Sequence, residues 1–159
     1  MADANDNSKA VLIDELNGLL ADHFALYIKT KNFHWHVKGR HFRDLHLLFD
    51  EQALQLREQI DVIGERVRKQ GGDTLTSAGS VSKHTQIKDQ DSTSLAAEAM
   101  IAELRYDNVK VVGRLKRMKE VADEAGDNAT DSLIDDWTDE AEERVWMLSS
   151  FLDESATSA

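Results

Sequence analysis

The sequence contains no cysteine and no proline, and only 8 of its 159 residues are glycine. Without cysteine, disulfide bonds and thiolate metal sites are both excluded. The lack of proline and the scarcity of glycine favour long, uninterrupted helices, because these two residues most strongly destabilise a helix interior. The apolar runs are far shorter than the ~20 residues that a membrane-spanning helix needs.

The amino terminus also lacks the features of a secretory signal. Its sequence, M-A-D-A-N-D-N-S-K, has neither a basic segment nor an apolar segment. Together with the absence of cysteine, this predicts a cytoplasmic protein. Hydrophobic residues make up 41% and charged residues 31% of the chain, a balance typical of one soluble globular domain.

The charge is strongly one-sided. Nineteen lysine and arginine residues face thirty aspartate and glutamate residues, which gives a net charge of −11. This disfavours a general nucleic-acid surface, because such surfaces use basic side chains to neutralise phosphates. An acidic surface is compatible with attracting cations.

Apolar residues recur at helical spacing in four long segments and predict an all-α fold. The predicted helices run from Lys9 to about His36, Phe42 to Gln70, Ser94 to about Ala125, and Asn128 to Leu152. Ser8 is a candidate N-cap, and Ile28 is assigned to the buried stripe of the first helix. Residues 71–93 form a predicted crossover with a possible short helix from Leu75 to Val81.

This organisation predicts a ferritin-like four-helix bundle, because that fold carries one long crossover among short connections. The bundle is predicted to span residues 9–153. A flexible tail, residues 1–8, precedes it, and a short tail, residues 154–159, follows.

Four potential metal ligands lie on the predicted second helix. His46 and Asp50 are four residues apart, as are Asp61 and Glu65, so each pair lies on one helical face. Eleven residues separate Asp50 from Asp61, so the pairs share roughly one face but lie ~16 Å apart along the axis. Ligand atoms sit only ~2 Å from a transition metal, so one helix cannot bring both pairs to one ion.

An antiparallel copy of the same helix would unite the two pairs. Positions 46 and 65 are equally far from the midpoint between residues 55 and 56, and so are positions 50 and 61. A two-fold axis at this midpoint would set each His/Asp pair against the partner's Asp/Glu pair, giving two identical shared sites. His34, at the end of the preceding helix, could add a nitrogen ligand.

The run N-F-H-W-H-V-K-G-x-x-F-x-x-L-H-x-x-F-D-E, followed by D-x-x-x-E-R, resembles the Dps family of mini-ferritins. The resemblance implies a homo-oligomeric cage of twelve subunits with a ferroxidase centre between subunits. The matching ligands are His34, His46, Asp50, Asp61 and Glu65. It also implies that hydrogen peroxide oxidises Fe(II), that Fe(III) is stored as mineral, and that the cell is thereby protected from oxidative damage. Trp35 matches the family's tryptophan beside the centre, and either relays an electron or packs in the core.

The donor set restricts the metal. Imidazole and carboxylate groups suit Fe(II), Zn(II) or Mn(II) far better than copper(I) or an iron–sulfur cluster, and Zn(II) is a competitor for iron. The chain has no glutamate followed three residues later by histidine, the motif of di-iron sites inside a bundle. The sequence therefore predicts a site between subunits.

Four aspartates recur every four residues around the junction of the third and fourth helices: Asp123, Asp127, Asp131 and Asp135. One interpretation is helix-end charge, with Asp127 as an N-cap. The resemblance implies another, because the family's acidic three-fold pores come from this region, where a carboxylate ring would direct Fe(II) to the cavity.

The remaining histidines divide by their surroundings. His36 stands where the family commonly has asparagine, and is interpreted as a surface residue or an outer-shell group. Arg40 departs from the family's proline. His41 and His84 are predicted to be solvated, and His23 to be a core or interface histidine.

Other functions remain open at this point. A nucleoid protein that binds DNA is disfavoured, because residues 1–8 and the end E-S-A-T-S-A carry no lysine or arginine. A cage with a degenerate site, or a zinc site that never oxidises iron, is the remaining alternative.

Overall fold

The computed structural model describes residues 4–152 and contains only helices and their connections in that range. The elements are α1 (Ala4–His36), α2 (Phe42–Lys69), α3 (Ala78–His84), α4 (Ala97–Glu124) and α5 (Asn128–Leu152). The four long helices form the bundle, and α3 lies within the crossover from α2 to α4. The predicted all-α, ferritin-like arrangement with a short helix in the crossover is confirmed.

The core lies between the four long helices. Leu16, Leu56, Leu104 and Leu148, one from each of them, are completely buried. Burying one such side chain contributes about 1.5–3 kcal/mol relative to leaving it exposed. The assignment of Ile28 to the buried stripe is wrong, because 64% of this side chain is exposed.

Two glycines end helices in a conformation that other residues rarely adopt. Gly39 has φ +108° in the connection from α1 to α2, and Gly126 has φ +66° between α4 and α5. The first of these tight connections returns the chain so that the end of α1 lies beside the start of α2. Phe33 and Phe49, with ring centroids 6.4 Å apart, pack the two helices together there.

The crossover is fixed to the bundle by a buried carboxylate on α1. Asp22 is completely buried and accepts hydrogen bonds from the Thr85 hydroxyl at 2.9 Å and the Gln86 backbone amide at 2.9 Å. Its other oxygen lies 3.0 Å from Nε of Arg114 on α4. One side chain therefore ties the crossover to two of the long helices.

Three predicted helix starts differ from the structure. α1 begins at Ala4, so Ser8 lies inside the helix instead of capping it, and the predicted tail 1–8 overlaps α1. α3 begins after Ser77, whose hydroxyl accepts from the Ser80 amide at 3.1 Å. α4 begins at Ala97 instead of Ser94, whose amide donates to the Ser92 hydroxyl at 3.2 Å.

The predicted tail 154–159 lies outside the described residues. No helix among residues 4–152 is long and apolar enough to cross a membrane. The cytoplasmic location stays a prediction.

Candidate metal centre

Two histidines from different helices are locked together where α1 meets α2. Nδ1 of His34 donates to the His46 carbonyl oxygen at 2.7 Å, and Nδ1 of His46 donates to the His34 carbonyl oxygen at 2.7 Å. The rings stack with centroids 3.9 Å apart and planes inclined by 17°. Because carbonyl oxygens only accept, each Nδ1 carries a proton, and Nε2 is the nitrogen of each ring that is left to bind a metal.

This tautomer is the one that binds a metal through Nε2. Ligating histidines commonly donate their other ring nitrogen to a backbone carbonyl or carboxylate, which fixes the orientation of the ring before the metal arrives. Phe42 packs against His46 with ring centroids 5.2 Å apart and adds to this restraint. His34 and His46 are therefore prepared as ligands by the fold of a single subunit.

Asp50 completes this half of the site. Its Oδ1 lies 3.8 Å from Nε2 of His34. Two ligand atoms that each lie ~2.0–2.2 Å from one Zn(II)-like ion can be up to ~4.2 Å apart, so this separation fits a shared ion. Nζ of Lys31 donates to the same oxygen at 2.9 Å, and this hydrogen bond, together with the positive charge of Lys31, lowers the pKa of Asp50 below its ordinary value.

Asp61 and Glu65 lie farther along α2, on its exposed surface. Within residues 4–152, neither side chain has a hydrogen-bond or ion-pair partner. One chain also contains, in this same range, no group of three or more His, Asp or Glu side chains arranged to hold a metal ion. The five predicted ligands therefore lie in two separate places in one subunit: His34, His46 and Asp50 lie where α1 meets α2, and the exposed Asp61 and Glu65 lie farther along α2.

Large apolar side chains are exposed around these ligands. Leu54, which lies on α2 between Asp50 and Asp61, is 46% exposed. Ile28 and Trp35, seven residues apart on one face of α1, are each 64% exposed. Trp35 therefore does not pack in the bundle core, and the ring lies 5.5 Å from Nζ of Lys31. Contiguous exposed apolar residues beside polar ones are typical of a protein-interaction surface.

The other histidines have different surroundings. His41 and His84 are exposed, as predicted. His36 is half-buried, and its Nδ1 lies 2.7 Å from the side-chain oxygen of Asn32 on the preceding turn. Within residues 4–152, none of the three shares a hydrogen bond, ion pair or ring contact with His34 or His46.

His23 is a core histidine, as predicted. It is completely buried, its Nδ1 lies 2.9 Å from the Leu19 carbonyl oxygen, and its Nε2 lies 2.8 Å from the Gln59 side-chain amide. Burial and the positive charge of Arg144 lower the pKa of His23 to about 4, so the ring is neutral at pH 7. Both ring nitrogens are occupied, which leaves none for a metal.

The bundle interior also contains a buried cation that the sequence analysis missed. Arg144 is 2% exposed, and it donates through Nε to Asn108 at 2.7 Å and through Nη1 to Gln55 at 2.6 Å. Burial lowers the pKa of Arg144 to about 10, so it remains charged at neutral pH. In ferritin-like di-iron proteins the bundle core holds the metal ligands. In this chain the core holds a guanidinium group.

Three of the four predicted pore aspartates are paired with basic side chains and, within residues 4–152, Asp123 is not. Asp127 caps α5, accepting from the Thr130 amide at 3.1 Å and from Nη2 of Arg66 at 2.9 Å. Burial acts to raise the pKa of Asp127, but the hydrogen bonds from Thr130 and Arg66 outweigh it and lower this pKa. The N-cap interpretation is confirmed.

The other three aspartates divide into a pair and a single residue. Nζ of Lys119 lies 2.9 Å from Oδ2 of Asp131 and 2.6 Å from Oδ1 of Asp135. The side chain of Asp123 is exposed. The pore itself stays a prediction, since one subunit shows at most its own part of a ring.

Comparisons with known proteins agree with this architecture. The model of the ferritin-like domain matches residues 13–157. The chain is 38% identical, over 138 residues, to the DNA protection during starvation protein of Brevibacillus brevis, covering 87% of this chain and 92% of that protein.

Solved structures give the same result. Dps from Thermosynechococcus elongatus superposes with a TM-score of 0.93 at 26% identity, covering 99% of each chain. Dps from Vibrio cholerae O1, described as a member of a broad superfamily of ferritin-like diiron-carboxylate proteins, superposes with a TM-score of 0.88 at 29% identity, covering 92% of each chain.

Proposed function

Because the chain belongs to the Dps family of ferritin-like proteins, we propose that it is a ferroxidase that oxidises Fe(II) and stores the Fe(III) product inside a dodecameric cage. Membership of this family supports iron storage and protection in general. The observation that carries the more specific proposal is the prepared pair of histidines beside Asp50, on a surface where residues 4–152 of one subunit do not form a complete metal site.

The proposed site forms when α2 of one subunit lies antiparallel to α2 of its partner. The His34, His46 and Asp50 group of one subunit then faces the partner's Asp61 and Glu65. The exposed side chain of Leu54 lies next to the two-fold axis in this arrangement, so the interface gains apolar contact between the two sites. The pairing is supported by the Asp61 and Glu65 carboxylates, which have no partner within residues 4–152, and by Nε2 of His46, which lies on the same face of α2.

The ligands define the chemistry of the reaction. Fe(II) is the substrate, and carboxylate oxygens stabilise Fe(III) over Fe(II), so the bound ion loses an electron readily. We take hydrogen peroxide as the oxidant. Two Fe(II) ions give one electron each, the O–O bond breaks, and two protons are taken up to form two water molecules. No hydroxyl radical is released when both electrons arrive together. Trp35, exposed beside the site, is proposed to relay an electron.

Iron entry at the α4–α5 junction is a further part of the proposal. Asp123 is the carboxylate of this group without a side-chain partner in residues 4–152, and Asp131 and Asp135 share the charge of Lys119. Asp127 already caps α5 and pairs with Arg66, so we expect it to contribute less to ion passage than the other three aspartates. The acidic field of the chain favours cation entry.

DNA protection is the alternative function, and the name of the Brevibacillus brevis relative favours it. The charge opposes it, because twelve subunits at −11 each carry about −132 and repel phosphate. A mobility-shift assay at low salt without divalent ions separates the two functions. We expect no shifted DNA under conditions in which iron is oxidised.

The ferroxidase proposal is tested with the double variant His46→Ala/Asp61→Asn. We expect stopped-flow measurements to show loss of peroxide-driven Fe(II) oxidation, while circular dichroism shows unchanged helical content. The matched control, His41→Ala/Asp44→Asn, removes one exposed histidine and one exposed aspartate from the same region and should keep the wild-type rate. Undiminished oxidation in the first variant would show that these residues are not the site.

A further inference from the structure

The ammonium group of Lys31 is hydrogen-bonded to Asp50, one of the proposed metal ligands. Lys31 lies on α1, three residues before His34 and four before Trp35, so all three side chains lie on one face. Its Nζ lies 2.9 Å from Oδ1 of Asp50, and the side chain is only 19% exposed. An ordinary surface pair of this chain, Lys116 with Glu142, is longer at 3.8 Å and far more exposed.

The oxygen that Lys31 contacts is also the one nearest to a metal-binding nitrogen. Oδ1 of Asp50 lies 3.8 Å from Nε2 of His34, the separation that fits one bridging ion. A metal ion bound to both atoms would approach the ammonium closely, and two positive charges at such a distance repel each other. Lys31 therefore competes with the ion for the Asp50 carboxylate.

We propose that Lys31 is a resident counter-cation, which holds Asp50 in its ligand position in the empty site and which an incoming metal ion displaces. This inference rests on the proposed ferroxidase function. Lys31 acts through Asp50 and is thus a positioning residue. Because the lysine side chain is attached to α1, the displaced ammonium group stays close to the site and continues to repel the bound ion.

This repulsion favours release of the oxidised product. Coulomb repulsion grows with the charge of the ion, so Lys31 disfavours the Fe(III) product more than the Fe(II) substrate. The lysine therefore weakens initial binding but promotes release of the product toward the cavity. A site without this charge would bind the metal ion more tightly and release the Fe(III) product more slowly.

Calorimetric titration with Zn(II), which undergoes no oxidation, tests the proposal on the assembled protein. We expect Lys31→Met, which keeps the apolar stem and removes the charge, to bind Zn(II) about tenfold more tightly than the wild type. Lys31→Arg keeps the charge and should bind as the wild type does. Lys116→Met removes a lysine far from the site and should also be unchanged. Equal or weaker binding by Lys31→Met would overturn the counter-cation role.

The kinetics provide a second readout. In Lys31→Met we expect the first round of Fe(II) oxidation to be at least as fast as in the wild type, while later rounds become several-fold slower because the product leaves more slowly. Later rounds at the wild-type rate would overturn the role in product release. The ferroxidase proposal fails separately, if wild-type protein binds no Zn(II) that depends on His46 and Asp61.

Discussion

The two polar regions that contain histidine behave in opposite ways, although both lie between α1 and α2. In the bundle interior, both nitrogens of His23 are occupied, and the nearby cation Arg144 is hydrogen-bonded to helices on two sides. At the surface, His34 and His46 use only Nδ1 within the subunit, and their Nε2 lone pairs remain free. His23 thus finds partners for both ring nitrogens within one chain, whereas the surface histidines keep Nε2 available for ligands from outside it.

This contrast shows why residue type alone does not identify a metal site. A histidine with both nitrogens engaged, next to a buried guanidinium, is held neutral by its surroundings. A histidine held through Nδ1 alone keeps Nε2 available to a metal. What differs is the number of partners that the fold supplies.

The largest expected effect comes from removing the interior cation. Arg144→Ala leaves Asn108 and Gln55 without their donor and opens a cavity, so we expect the free energy of unfolding to fall by about 3–5 kcal/mol in urea titrations. Arg117→Ala, at an exposed position of α4, should change it by no more than about 0.5 kcal/mol. Similar losses in both variants would mean that the interior network does not stabilise the bundle.

A second test uses the pH dependence of stability. The pKa of His23 is about 4 in the folded chain and 6.5 as the ordinary value, so the unfolded chain binds more protons between these limits. Stability from this residue is therefore lost as pH falls from 6.5 to 4, by about 3 kcal/mol at ~1.36 kcal/mol per pKa unit. His23→Gln should show a correspondingly shallower pH dependence in urea titrations, and the exposed His41→Gln should not. Parallel pH profiles for the wild type and His23→Gln would contradict the buried neutral histidine.

The smallest expected effect separates capping from ion passage at the α4–α5 junction. Asp127→Ala removes the cap of α5 and the partner of Arg66, so we expect a loss of about 1–2 kcal/mol in the free energy of unfolding. Asp127→Ser keeps a capping oxygen and should lose at most about 0.5 kcal/mol. The serine variant should also take up iron at the wild-type rate, whereas Asp123→Asn should slow uptake. Slow iron uptake by Asp127→Ser would indicate that Asp127 takes part in ion passage.

The sequence predicted the fold well where apolar periodicity and glycines agree. The bounds of α5 are those predicted, and α2 ends one residue earlier than predicted. The start of α1 could not be predicted in this way, because residues 4–8 are helical without an apolar stripe. The position of α3 depends on reciprocal hydrogen bonds between Ser77 and Ser80, which hydrophobic patterning does not detect.

For the site, spacing predicted which residues are ligands but not how each is held. Reciprocal bonding between the two imidazoles and opposite carbonyls requires α1 and α2 to meet at a particular angle. Lys31 and Arg144 were missed because a charged residue in a helical pattern usually indicates a solvated face, while here each is fixed by specific partners. The spacing from Lys31 to His34 and Trp35 was the one available signal.

The central claim, that each reaction centre is shared between two subunits, is tested most directly by mixing two inactive variants. His46→Ala and Asp61→Asn are unfolded together, refolded into mixed assemblies, and assayed for peroxide-driven Fe(II) oxidation. In a dimer with one subunit of each kind, both defects fall in one site and the other site is intact, so random pairing should restore about a quarter of the wild-type sites. Activity near that level is the predicted result. A mixture as inactive as either variant alone, with assembly confirmed by mass, would contradict the shared site.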